Sequence, residues 1–357
     1  MKGVLLAGGT GTRLRPITHT GPKQLVPVAN KPVIQYAIED LKQAEIQEIA
    51  VVLGNKGQED VQQFLGDGSW LGVDITYIVQ GEPLGIAHAV GCAKEFVEDD
   101  PFVVYLGDNL LRDGVVDLVE SFQAGDFTAG IALQSVDDPS RFGVAELDED
   151  GQVRRLVEKP DEFVSDLALV GIYVFSPSIF EIIEGLTPSD RGELEITEAI
   201  DVLVDSGEKV DSHVVKGWWK DTGKPEDILE ANRLVLESHT GSQNGVIEED
   251  AEVTGSVELH KTAEVRDGAV VRGPVSINRG TVIRAGAYVG PYTSIGPNTV
   301  VEGVHVENSV IVGDSTITTD GRIVDSLIGR GAAVTSARDL LPEGRRLVVG
   351  ENSKLKL

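Results

Sequence analysis

Gly3-Val4-Leu5-Leu6-Ala7-Gly8-Gly9-Thr10-Gly11-Thr12-Arg13 opens the chain with an apolar run that passes directly into a glycine-rich turn. The run is of buried-strand type, and the glycines after it let the backbone turn sharply and present N–H groups with no Cβ in the way. Two common phosphate motifs are excluded by spacing. A P-loop needs G-x-x-x-x-G-K-[ST], and the dinucleotide fingerprint needs a third glycine where Leu14 stands. The second strand, Glu48 to Leu53, also ends in Gly54-Asn55 rather than in an acid that would hold a ribose.

The first 38 residues contain no Asp or Glu, although the chain holds 58, and they carry Lys2, Arg13, Arg15, Lys23 and Lys31. In a protein of formal charge -27, an acid-free basic window on a glycine turn is where a polyanionic ligand is tolerated. It is read as a phosphate site.

Beyond this window strands alternate with helices: helix Val33 to Ala44, strand Ile49 to Leu53, helix Gln58 to Leu65, strand Ile75 to Val79, helix Ile86 to Lys94 and strand Phe102 to Leu106. This is a doubly wound α/β pattern with a mostly parallel sheet, in which ligands collect at the carboxyl ends of strands. Gly8 to Thr12, Gln80 and Asp108 fall there. A side-chain amide both donates and accepts, so Gln80 beside a glycine turn suits a pyrimidine edge. Asp108, just past a buried strand, suits a hard cation such as Mg²⁺. His88 is read as a helix surface or packing residue. From Phe127 the strands lengthen (Thr128 to Gln134, Val144 to Leu147, Val153 to Glu158, Leu167 to Phe175), as in an insertion.

Leu6-Ala7-Gly8-Gly9-Thr10-Gly11-Thr12-Arg13-Leu14-Arg15-Pro16, then Pro22-Lys23 and Lys31-Pro32, resembles the signature of the sugar-phosphate nucleotidylyltransferases, and within them the glucose-1-phosphate thymidylyltransferases. The resemblance covers residues 1 to about 238 and implies roles for matching positions. Leu6, Ala7, Gly8, Gly9, Gly11, Thr12, Gln80 and Gly85 would bind the nucleotide, with Arg13 and Lys23 catalytic. Phe142-Gly143, Glu158-Lys159 and Val170-Gly171 resemble the family's sugar-phosphate segments: Lys159 would take the hexose phosphate, Glu158 would accept from sugar hydroxyls, and Gly143, Val170 and Gly171 would let backbone approach the ring. Arg191 would belong to a sugar-facing lid and Trp219 to an apolar wall. Asp221, in the turn Gly217-Trp218-Trp219-Lys220-Asp221-Thr222-Gly223, would complete Mg²⁺ coordination with Asp108.

The last third repeats. Apolar residues recur every six positions at Ile247, Val253, Leu259, Val265, Val271, Ile277, Ile283, Val289, Ile295 and Val301. The phase slips near Gly303 to Asn308 and resumes at Ile311, Ile317 and Ile323. A period of six matches neither an α-helix nor an isolated strand, but it suits a triangular coil. This resembles a left-handed parallel β-helix of hexapeptide repeats, as in the long form of the thymidylyltransferases. The domains are therefore expected as 1–238 catalytic, 239–246 linker and 247–357 β-helix. A solenoid cannot bury its end faces alone, so a homo-oligomer through the β-helix is expected. The rival is an acetyltransferase, and its only candidate histidines in the coil, His260 and His305, sit in no recognised motif.

The sum of 31 basic and 58 acidic residues, with pI near 4.5, disfavours nucleic acid and anionic membranes as partners. The single cysteine, Cys92, can form no internal disulfide and is read as a small apolar residue. No run reaches the length of a membrane span, and Met1-Lys2-Gly3 leads straight into a strand, so a cytoplasmic location is expected. Self-repulsion at this charge points to a salty, halophilic cytoplasm, where screening restores stability. The melting temperature is expected to rise from low to molar KCl; an unchanged or lower value in salt would remove that reading.

The resemblance implies an enzyme that transfers a nucleotidyl group from dTTP to glucose 1-phosphate, giving dTDP-glucose and pyrophosphate. An anionic nucleophile needs no general base, consistent with the lack of any catalytic triad. Two alternatives are a UTP-dependent uridylyltransferase and, from another class, a non-catalytic sugar-nucleotide-binding assembly protein. The latter would be favoured by loss of Arg13, Lys23, Asp108 or Asp221, and all four are present.

Overall fold

The computed structural model describes residues 1–336. The chain packs as two compact units, one of Met1–Thr10 with Val33–Asp221 and one of Gly11–Pro32 with the residues from Thr222 onward.

In the first unit, β1 (Lys2–Ala7) is buried along its whole length, as an apolar run between two layers requires. The hairpin β2 (Pro27–Val28) and β3 (Lys31–Pro32) belongs to the second unit. The first unit resumes with α1 (Val33–Gln43), β4 (Glu48–Leu53), α2 (Gln58–Leu65), β5 (Asp74–Val79), α3 (Ile86–Gly91), α4 (Lys94–Val97) and β6 (Phe102–Leu106). The helix expected over Ile86 to Lys94 is thus two short ones. Strands β6, β1, β4 and β5 are neighbours in that order and all parallel.

Beyond β6 the sheet changes character. Strands β7 (Asn109–Leu111), β8 (Ala129–Ser135), β9 (Gly143–Leu147), β10 (Val153–Glu158), β11 (Leu167–Phe175), β12 (Val210–Val214) and β13 (Trp219–Asp221) follow, with α5 (Val116–Ala124), α6 (Ile179–Gly185) and α7 (Ile196–Asp205) between them. β11 pairs antiparallel with β6, β8 and β9, and β10 pairs antiparallel with β9. One continuous core runs beneath both halves; Phe102 stacks on Phe180 with ring centroids 5.2 Å apart and meets Phe175 at 5.9 Å.

In the second unit α8 (Pro225–Ser238) precedes the coil, with Pro225 at its first turn, where a missing N–H costs nothing. The coil is a left-handed parallel β-helix of three sheets in which each strand pairs with the equivalent strand one turn later. Val253 lies opposite Val271 and Val271 opposite Val289, a step of 18 residues. Val289 then lies opposite Val306 and Ile295 opposite Ile311, steps of 17 and 16. The turn shortens at the phase slip visible in the sequence. Val265, Val271, Ile283, Val289, Ile295, Val301, Ile311 and Ile317 have no exposed surface, and each such side chain contributes about 1.5–3 kcal/mol of burial. Thr281 is equally buried and donates from Oγ1 to the Gly296 carbonyl at 2.8 Å, so its hydroxyl is satisfied. Strand structure begins inside the stretch expected as a linker: Ser242–Gln243 pairs with Glu258–Leu259. Among the described residues no helix is long and apolar enough to cross a membrane.

Candidate active site

Three groups of side chains lie along the carboxyl edge of the first unit's sheet and in the segments that extend it. The first surrounds the glycine turn. Leu6 and Ala7 are buried at the end of β1, and Gly8 follows so closely on β4's exit that a Cβ at Gly54 would stand 2.5 Å from the Gly8 carbonyl oxygen. A Cβ at Gly8 would lie 3.0 Å from Gln80 Oε1. Gln80 Nε2 donates to the Gly85 carbonyl at 3.1 Å and meets His88 Nδ1 at 3.2 Å. His88, expected from the sequence to be a surface or packing residue, thus orients the amide; facing a donor, Nδ1 is the ring's acceptor. Helical spacing from Gly85 could have found it, since His88 lies within α3's first turn.

Gly85 has φ +108°, and a Cβ there would stand 2.4 Å from the Leu194 carbonyl oxygen. Leu194 N–H donates to the Leu84 carbonyl at 2.7 Å and Ala87 N–H to the Leu194 carbonyl at 3.1 Å, which joins the amide-bearing turn to the chain just before α7. Gly85→Ala is expected to break this crossing, costing about 1–3 kcal/mol of stability. Activity should fall with it; a melting temperature equal to wild type would show that the crossing tolerates a side chain.

The second group is built around the turn after β6. Tyr105 is fully buried and donates to Asp40 Oδ2 on α1 at 2.9 Å. Burial, reinforced by the Asp40 charge, pushes its phenol well above the usual range, so it remains a donor. Gly107 N–H donates to the Leu6 carbonyl at 2.9 Å, which ties the turn bearing Asp108 to β1. Asp221, expected in a turn, is instead the last residue of β13, paired antiparallel with β7 so that Asp221 stands opposite Asn109. Strand pairing, rather than turn chemistry, therefore sets the second carboxylate beside the residue following Asp108. Trp219 Nε1 donates to Asn109 Oδ1 at 3.1 Å, and its ring meets Phe142 edge-on at 5.2 Å. Gly171 has φ +80°, and a Cβ there would stand 2.5 Å from Leu106 Cδ1 and 2.6 Å from Asn109 Nδ2. Val170 and Gly171 lie where β11's register with β8 shifts, so a bulge brings this backbone to the Asp108 turn.

The third group centres on Glu158, opposite Gly143 in the β9–β10 pair. Its Oε2 accepts from Thr197 Oγ1 at 2.7 Å, and its Oε1 accepts from Arg191 Nη2 at 3.1 Å and pairs with Lys159 Nζ at 3.4 Å. Arg191 is also held by Glu195 at 2.6 Å and approaches Glu193 at 3.5 Å, so three carboxylates balance its charge. A Cβ at Gly143 would stand 2.6 Å from Thr197 Oγ1 and 3.0 Å from Glu158 Oε2. Thr197 has no sequence signal of its own. Lys159 N–H donates to the Phe142 carbonyl at 3.0 Å, which links this group to the Trp219 wall.

Gly9 is exposed at the end of the first unit's opening segment, and Gly11, Thr12, Arg13 and Lys23 fold with the second unit. There Gly11 has φ +63°, and its carbonyl accepts from Thr18 Oγ1 at 2.6 Å. A Cβ at Gly11 would lie 3.1 Å from Lys23 Cβ, so the glycine lets the lysine's stem approach. Leu14 is fully buried and Arg13 exposed. Sequence reasoning passes over Gln24, which is 1% exposed while its Oε1 has no hydrogen-bond partner within the protein.

Among the described residues no group of three or more His, Cys, Asp or Glu side chains is placed to hold a metal. Asp108, in the turn after β6, and Asp221, opposite Asn109, are oxygen donors of the type Mg²⁺ takes, since that ion keeps waters and substrate phosphates among its ligands.

An open α/β sheet with a glycine turn after β1 and a carboxylate in the turn after the neighbouring strand β6 is the architecture of a nucleotide-handling enzyme. The chain belongs to the nucleotidyl transferase family, whose description matches residues 2–238; residues 271–356 match the GMPPB C-terminal domain. It is 68% identical over its full length to the full length of a low-salt glycan biosynthesis nucleotidyltransferase, Agl11, of Haloferax volcanii. It is 47% identical to a glucose-1-phosphate thymidylyltransferase of Streptomyces griseus, covering 100% of this chain and 99% of that one. A crystal structure of UDP-glucose pyrophosphorylase complexed with UDP-glucose matches 67% of this chain and 99% of its own, at 27% identity and a TM-score of 0.60.

Proposed function

We propose that this protein transfers the nucleotidyl group of dTTP to glucose 1-phosphate, releasing pyrophosphate and giving dTDP-glucose for glycan assembly. The observation that supports the reading is the β7–β13 register, which sets Asp221 opposite Asn109, the residue that follows Asp108. The choice of thymidine and glucose leans on the full-length likeness to the Streptomyces griseus enzyme.

An oxygen of the hexose 1-phosphate attacks the α-phosphorus, and the bond from that phosphorus to the oxygen bridging to the β-phosphate breaks. Pyrophosphate leaves with the electron pair. The nucleophile is anionic throughout, so the protein has no proton to remove and acts by alignment and charge. Gln80 commits its amide nitrogen to Gly85 and His88, which turns its oxygen toward the pyrimidine N–H. Gly8 and Gly9 offer backbone N–H groups without side chains. Glu158, held by Thr197, accepts from sugar hydroxyls beside Gly143, and Lys159, held at the strand end by Glu158, meets the hexose phosphate. Arg13 and Lys23 take the charge of the triphosphate. Asp108 and Asp221 would hold Mg²⁺, which when bound neutralises phosphate oxygens.

The test is pyrophosphate release from purified protein with Mg²⁺ and glucose 1-phosphate in molar KCl, supplying dTTP and UTP in separate reactions. Faster release with dTTP is expected. A preference for UTP would reassign the base, and no release with either would overturn the proposed reaction.

A further inference from the structure

The β-helix has an outward-facing column that is not on the outside. Glu258, Ser276 and Ser294 are register partners in successive turns of one sheet, each the middle residue of a three-residue strand whose flanking residues point inward. Such a middle position ordinarily meets solvent. Here Ser276 is 2% exposed and Ser294 not at all. What covers them is α8 and the hairpin β2–β3, both of the same unit.

The contact is polar and complete. Asn232 on α8 is fully buried; its Oδ1 accepts from Ala29 N–H at 2.9 Å and from Ser294 Oγ at 2.6 Å, and its Nδ2 donates to the Tyr292 carbonyl at 2.9 Å. Both acceptor sites of the oxygen are therefore used. Next along the hairpin, Asn30 Nδ2 donates to Ser276 Oγ at 2.9 Å and to the Ser276 carbonyl at 3.0 Å, while Ser276 Oγ donates to Glu258 Oε2 at 2.8 Å. Ala29 and Asn30 have φ +46° and +64°, the pair of left-handed residues that a tight two-residue hairpin needs. Alanine is costly there, and such a residue persists where its surroundings over-determine it. The Asn232 bond to its N–H does so. A second, separate contact lies at the other part of the same segment, where a Cβ at Gly329 of the coil would stand 3.3 Å from Ile17 Cδ1.

We infer that the β-helix is a platform that positions the basic segment Gly11–Pro32, with Asn232 and Asn30 as the positioning residues that lock the hairpin tip and, through it, the turn carrying Lys23 and Gln24. This rests on the proposed reaction for its kinetic consequence only. Two variants separate the tie from the fold: Asn232→Ala removes the buried hub, and Asn30→Gly keeps the left-handed turn accessible while removing only the side-chain tie to Ser276.

Two measurements on the full-length protein decide it. Amide hydrogen exchange should quicken within residues 11–32 of both variants, with the coil's own strands unchanged in Asn30→Gly. In the pyrophosphate assay both should lower kcat/KM for the nucleoside triphosphate by about tenfold, as displacement of the charged groups on that segment predicts. Exchange in residues 11–32 equal to wild type in both variants would overturn the inference, as would quickened exchange with wild-type kcat/KM. Should the wild type release no pyrophosphate with any triphosphate, the proposed reaction falls and the exchange measurement alone still decides the platform.

Discussion

Asp221→Asn and Asp108→Asn are each expected to lower turnover by about 10²–10³, the size of effect that follows when one group stabilising developing phosphate charge is removed. Strand pairing is the reason. Asp221 closes β13 and faces Asn109, while Asp108 sits in the turn that Gly107 ties to β1. Asparagine matches aspartate in shape and can remain in the ladder, since the β7–β13 bonds are made by backbone. What it removes is one unit of negative charge and one hard oxygen ligand, both of which favour Mg²⁺. The wild type's stabilisation by Mg²⁺ with triphosphate should therefore vanish in both variants. Pyrophosphate release read across a Mg²⁺ titration checks the kinetic half. Wild-type turnover at ordinary Mg²⁺ in either variant would defeat the metal assignment, and a large fall in melting temperature would recast the pair as structural.

Asp108 is legible in the sequence because everything that places it is local: an apolar strand, a glycine, an acid. The same holds for Gly8, for Gln80 ahead of its glycine turn, and for the coil, where one inward residue per six repeats until the turn shortens after Val301. What stays hidden depends on partners far away in the chain. The bond from Trp219 to Asn109 spans 110 positions, and nothing near Asp221 announces the strand that brings it there. Thr197 and Leu194 look like ordinary residues at the start of a helix. Their placement against Glu158 and Gly85 comes from how the chain crosses before α7. Ser276 and Ser294 have the sequence of surface positions, and only the packing of α8 and of the hairpin makes them core. For the same reason the acid-free window, continuous in sequence, is divided between two units at Gly11 and again after Pro32. Charge pattern reads composition along the chain, whereas this division is decided by long-range contacts.

Arg13→Ala should reduce kcat by about 10² while changing KM for dTTP by less than about threefold, because a cation that meets charge as it develops acts on the transition state more than on binding. The local structure isolates that effect. Thr12–Leu14 forms a single 3-10 turn in which Leu14 is fully buried and Arg13 is exposed, so the leucine anchors the turn and the arginine contributes little to packing. Truncating Arg13 therefore leaves the anchor untouched, and the melting temperature should not move. Lysine at this position restores a point charge without the planar fork, so Arg13→Lys should recover part of the lost rate and not all of it. Full recovery by lysine would mean that Arg13 acts as a general positive charge rather than as a bidentate ligand of the phosphate. An unchanged kcat in Arg13→Ala would remove it from the transition state, leaving Lys23 as the charge that the glycine turn at Gly11 is built to admit.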